Sequence, residues 1–120
     1  MTNMFNFEYE KVGKSGDILA VVLEGMIDET NCEYLLKCVA EEVLGGRKKL
    51  ILDCGRLTYI SSMGLGMLVR VHSRMKKLGG DVKLADVHST VAQIIGVVGL
   101  NRLFHIYPKV ADAIAVLDAE

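Results

Sequence analysis

Two adjacent serines, Ser61 and Ser62, stand where an apolar stretch gives way to helical periodicity, inside Asp53 to Gly66, which reads DCGRLTYISSMGLG. The first N–H groups of a helix have no partners within it. Together with the helix dipole they tolerate negative charge. A serine at that point has two uses. It can cap the helix, worth roughly 1 kcal/mol. It can also accept a phosphoryl group, which brings about −1.5 to −2 charge and three acceptor oxygens. A chain phosphorylated there keeps its fold and loses only its docking surface. By residue type and position alone an N-cap is the default reading of Ser62, and a phosphoacceptor is the sharper one. Gly64 and Gly66 follow closely. Each costs about 1 kcal/mol against alanine in a helix. Either close packing of helix on strand or a backbone left bare for a partner offsets that cost, and residue types alone leave both readings open.

The remaining reactive side chains form no known constellation. His72, His88 and His105 are far apart, with no HExxH spacing, so no metal is expected. Cys32, Cys38 and Cys54 are an odd number without a CxxC pair, which fits free thiols in a reducing compartment. Cys54 follows a buried strand and reads as core, not nucleophile. There is no GxGxxG, P-loop or GxSxG elbow. Asp81 and Asp86 flank a strand as solvated loop charges do, and the run Arg74, Lys76, Lys77 reads as a wetted helix end. No set of acid, base and nucleophile can be assembled. The expectation is a protein that is not an enzyme and needs no cofactor.

The elements that must position Ser62 are marked off by glycines. Met4 to Val12 alternates, with Phe5, Phe7 and Tyr9 opposite Asn6, Glu8 and Glu10, and predicts a half-exposed strand. Gly13 to Gly16 is a turn. Ile18 to Leu23 is a buried strand, and Gly25 to Asp28 leads out of it. Thr30 or Asn31 caps a helix to about Leu44, with Leu35, Leu36, Val39, Val43 and Leu44 inward. Leu50 to Leu52 is a second buried strand ending at Asp53, followed by a short connection. A helix runs from about Ser62 to Leu78 on the stripe Leu68, Val71, Met75 and Leu78. Val82 to Ala85 is a third strand. Ser89 or Thr90 starts a helix carrying Val91, Ile94, Ile95 and Val98, and Gly99 ends it. Leu103 to Tyr107 is a last strand, and Pro108 precedes a helix with Val110, Ala113, Ile114 and Leu117. The order predicts an α/β fold: one small domain over residues 1–120, with a mixed, mostly parallel sheet of about five strands and about four helices.

The chain has 120 residues, 51% of them hydrophobic, enough for one core and against disorder. With 14 basic and 15 acidic residues the net charge is −1, which supplies no field for nucleic acid or an anionic membrane. No apolar run approaches the ~20 residues that span a bilayer. Met1 to Phe7 is neither basic nor followed by a signal-type core, so a cytoplasmic location is expected.

These segments together resemble the STAS family, and within it the anti-sigma factor antagonists. Asp53-Cys54-Gly55, then Tyr59-Ile60, then Ser61-Ser62-Met63-Gly64-Leu65-Gly66 follow the family pattern of Asp-hydrophobic-Ser, a hydrophobic residue, and Asp-Ser-Ser/Thr/Ala-Gly-Leu-Gly. Gly25-Met26-Ile27-Asp28 matches the family's Gly-x-hydrophobic-Asp. Gly79-Gly80, Val82 to Ala85, and Val98 to Phe104 match in spacing. The resemblance implies a STAS fold in which Ser62 is the phosphoacceptor and Asp28, Ser61, Ser62, Met63, Gly64 and Leu65 meet the partner. That partner would be an anti-sigma factor with serine kinase activity. Phosphorylation would eject the antagonist and a serine phosphatase would reset it. Asp28 would shape the docking surface and repel an added phosphate.

This sequence departs from the pattern at Ser61, where many antagonists have Asp, at Met63, where a small residue is usual, and at Cys54-Gly55. Ser61 and Met63 motivate one alternative, a STAS scaffold or transport-complex subunit that is never phosphorylated. A further alternative, from the helix start itself, is a STAS domain binding a nucleotide there. The exposed first strand also leaves room for a homodimer.

Overall fold

The computed structural model describes residues 5–46 and 48–120, with the backbone alone for Leu44 and Ser89. The expected start of the first strand at Met4 and the inward turn of Leu44 lie outside the described residues. The described chain runs β1 (Phe5–Val12), β2 (Ile18–Ile27), α1 (Cys32–Leu44), β3 (Lys49–Ile60), α2 (Ser62–Lys77), β4 (Asp81–Ala85), α3 (Ser89–Val97), β5 (His105–Tyr107) and α4 (Val110–Asp118). A 3-10 turn, Leu100–Arg102, precedes β5.

The sheet order is β1-β2-β3-β4-β5, with β1 antiparallel to β2 and the other pairs parallel. Each crossover from one parallel strand to its neighbour is right-handed by rule. Successive steps in one direction therefore stack α1, α2 and α3 on one face. Their inward residues join Leu19, Val21, Leu23, Leu50, Leu52 and Leu84 in the main core. Phe5 and Phe7 of β1 pack against its margin, and Phe7 meets Tyr34 of α1 at 6.1 Å between ring centres. α4 covers the other face, where Ala113 and Leu117 close over Ile18, Ala20, Ile51 and Ala85. The same face holds Lys83, 4% exposed, whose ammonium lies 2.9 Å from Asp81 and donates to His105 Nδ1 at 3.1 Å.

The expected architecture is therefore present, with corrections at element ends. β2 does not stop at Leu23 but runs to Ile27, and β3 runs seven residues past Asp53 to Ile60. Leu78 and Val98, expected inward, are 46% and 53% exposed, because both fall just past the last turn of their helices. Gly64 and Met67 take inward places on α2 instead. β5 begins at His105, since Leu100 to Arg102 form the 3-10 turn after Gly99, whose φ of +78° turns the chain. β1 is an open edge as expected, and exposed Glu8, Glu10 and Lys11 line it, charges that oppose pairing with another strand.

Candidate functional site

β4 ends where Ala85 faces Asp53. Past that point β3 continues beside β2 alone, up to Tyr59 and Ile60 against Met26 and Ile27. β3 needs one extra residue between Asp53 and Arg56 to match Val22 to Glu24, and another between Leu57 and Tyr59 to match Gly25 to Met26. Each insertion is a bulge that re-aims the side chains after it. The first contains Gly55, at which a Cβ would strike the Asp86 carboxylate. Asp53 Oδ1 accepts from the Gly55 N–H at 3.0 Å, and His88 Nε2 donates to its carbonyl at 2.8 Å. Across the second bulge Leu57 and Ile60 are buried, while Thr58 and Tyr59 between them face out.

The turn into α2 settles which of the two serines is the cap. The Ser61 N–H donates to the Ile27 carbonyl at 2.8 Å, one bond beyond the end of β3. Ser61 keeps an extended backbone, and its Oγ accepts from the Gly64 N–H at 3.2 Å. Ser61 is therefore the N-cap. Ser62, read by default as that cap, is instead the first helical residue, and its side chain is exposed. Serine and aspartate are both good capping residues, so Ser61 caps as well as the aspartate of the pattern it resembles.

The two glycines separate as well. A Cβ on Gly64 would lie 2.7 Å from Ile60 Cγ1 and 2.9 Å from Ile27 Cγ2, so Gly64 lets α2 sit directly on the tip of β2 and β3. A Cβ on Gly66 would meet nothing within 4 Å; its backbone is bare. Met63 is 48% exposed, and Leu65 is half-buried against the main core. Ser62, Met63 and Gly66 consequently face outward, whereas Gly64 and Leu65 serve the packing beneath them.

Asp28 directly follows the residue that holds Ser61. Its Oδ1 accepts from the Thr30 N–H at 2.9 Å and the Thr30 hydroxyl at 2.6 Å. Asn31 occupies the N-cap position of α1 but makes no cap bond with its side chain. Its Oδ1 accepts from the Asp28 N–H at 3.0 Å and its Nδ2 donates to the Met26 carbonyl at 2.8 Å. Asp28 and Asn31 together brace the β2–α1 turn, and the bond between the Ser61 N–H and the Ile27 carbonyl sets that turn beside the start of α2.

The expected bystanders are elsewhere. Cys54 is buried, and burial, then Asp53 and Asp86, push its thiol up to about 12. It stays protonated and is no nucleophile. His72 lies edge-on to Phe104 at 5.1 Å, and burial, then Lys76, hold its imidazole below the usual value. Among the described residues no group of three His, Cys, Asp or Glu side chains could hold a metal, and no helix is long and apolar enough to cross a membrane. The sequence reading missed Met26 and Tyr59, 37% and 40% exposed and facing each other in register. Continuing the β2 alternation through Gly25 to Asp28 would have found Met26, and the bulge at Gly55 hid Tyr59.

An exposed serine in the first turn of a helix seated on two bulged parallel strands joins the sequence pattern to a built site, and the STAS domain profile matches residues 9–113. This chain belongs to the STAS domain family. A relative in Bordetella bronchiseptica, BtrV, carries the name of anti-sigma factor antagonist; the two STAS proteins are 30% identical over 91 residues, 76% of this chain and 78% of BtrV. The structure of the anti-sigma factor antagonist SpoIIAA in its unphosphorylated form superposes with a TM-score of 0.82 at 19% identity, covering 96% of this chain and 98% of that one. Bacillus SpoIIAA in its phosphorylated form gives 0.73 at 18% identity, over 93% and 99%. Both likenesses are of fold.

Proposed function

We propose that this STAS domain is an anti-sigma factor antagonist that docks on an anti-sigma factor with serine kinase activity and is released when that kinase phosphorylates Ser62. One observation carries the reading: Ser61 is the cap, so the Ser62 hydroxyl is spare and exposed. A phosphate there adds about −1.5 to −2 charge close to the unpaired N–H groups and dipole of α2, which stabilise it. The first turn of α2 carries no acidic side chain to oppose it. The fold survives, while the docking surface around Met63 and Asp28 acquires a dianion that a partner fitted to a neutral serine rejects. A serine phosphatase then restores the binding form. Such a cycle takes place in the cytoplasm, where ATP is available, and uses no cofactor of the STAS domain itself.

The test is incubation with ATP and the anti-sigma kinase of the same organism, followed by mass spectrometry of the intact chain and its peptides. One added phosphate on the peptide containing Ser62 is expected. Ser62→Ala should abolish it, Ser62→Asp should weaken kinase binding, and Ser61→Ala should leave it in place. Phosphate on Ser61, or equal binding by Ser62→Asp, would overturn the assignment.

A further inference from the structure

The far end of α2 carries a second surface. α1 supplies Leu36, Val39, Ala40 and Val43, spaced i, i+3, i+4 and i+7, and α2 supplies Val71, Met75 and Leu78 on the same period. Between these rows lies an almost wholly apolar hollow of about 240 Å³. The small side chain of Ala40 leaves the space open, and Leu78 lies 46% exposed at its edge. Arg74 and Lys77 line it from α2. Both are exposed, and neither has an ion-pair partner among the described residues, whereas Arg70 one turn earlier is paired with Glu33 at 3.1 Å. The adjoining hollow carries Glu33, Lys37 and Glu41 from α1 and Arg70 and Arg74 from α2, so cations outnumber carboxylates there as well.

We propose that this seam is a docking groove for an amphipathic helix of a partner protein, one that carries a large apolar anchor and an acidic edge turned towards α2. Two parallel helices with apolar rows at helical spacing make a trough into which a third helix fits by its own i, i+3, i+4, i+7 face. The volume is below the ~300–1,000 Å³ of small-molecule sites but holds one large side chain, which suits an anchor residue. A lipid surface engages a helix face that stands proud of the protein, whereas this one is concave. Arg74 and Lys77, lacking carboxylates of their own, select acidic residues and reject basic ones. The basic run that reads in sequence as a wetted helix end thereby becomes the rim of a site. The proposal is independent of Ser62, which lies at the opposite end of α2.

The probe is a synthetic amphipathic Leu/Glu helix titrated into the isotopically labelled full chain, with the same peptide carrying Lys for Glu as control. The methyl resonances of Val39, Val43, Val71, Met75 and Leu78 should shift with the acidic peptide and not with the basic one. Affinity should fall about 10-fold or more in R74E/K77E, fall in high salt, and be lost in Ala40→Leu, which fills the hollow. The paired substitution lies on exposed residues, so it remains informative if Ala40→Leu perturbs the fold. Equal binding of the basic peptide, or shifts confined to other surfaces, would overturn the proposal. So would a self-associated dimer that Ala40→Leu dissociates, or co-sedimentation with anionic vesicles in the absence of peptide binding.

Discussion

The two ends of α2 use the same backbone dipole in opposite ways. At its N-terminus there is no charged side chain in the first turn, the cap is a neutral serine, and the next hydroxyl is exposed. At its C-terminus Arg74, Lys76 and Lys77 already supply the charge the dipole favours. The first end is electrostatically vacant and can be altered by one added group. The second is permanently occupied and can only be matched by a partner. Packing differs in the same sense: Gly64 clamps the N-terminal end to the strand tips, whereas past Met75 the helix leaves the core with Leu78 exposed.

The largest way to break this contrast is to fill the clamp. Gly64→Val must displace Ile60 and Ile27 and should cost about 1–3 kcal/mol by overpacking, read as a lower urea midpoint with unchanged slope. Ser61→Ala removes the cap and should cost about 1 kcal/mol. Ser62→Ala at the neighbouring position should stay within about 0.5 kcal/mol of the parent, and that inequality is the sharpest check on which serine caps. Gly66→Ala, into open space, should raise stability by up to about 1 kcal/mol; a loss would mean that its backbone is not bare. At the basic end, Lys77→Ala should cost about 0.3–1 kcal/mol through the dipole, and less in high salt.

The smallest effect concerns pH. His72 is held below its ordinary 6.5 by burial and then Lys76. The unfolded chain therefore binds the proton first. Stability should be level above about pH 6.5 and decline as pH falls from there towards the folded-state value. His72→Gln should remove that part of the slope in thermal melts.

Much of this was legible in sequence because local periodicity sets it. The apolar run Ile18 to Leu23, the stripes of α1 and α4, and the glycine stops after α1 and α2 need only near neighbours to declare themselves. Asp53 to Ile60 did not, since Gly55 and two bulges break the alternation that signals a strand, and only pairing with β2 restores it. The same holds at Ser61 and Ser62. Two adjacent serines are equally able caps by type, and the choice falls to the Ile27 carbonyl, which holds the Ser61 N–H and leaves Ser61 extended.

Residue order and type alone determined the α/β alternation and the helix start near Ser62, because both depend on spacing along the chain. Tertiary structure decided which serine is spare, why Gly64 and Gly66 differ, and that Arg74 borders a groove. Each of those depends on what a distant strand or helix places within a few ångströms, a quantity that spacing along one chain does not contain.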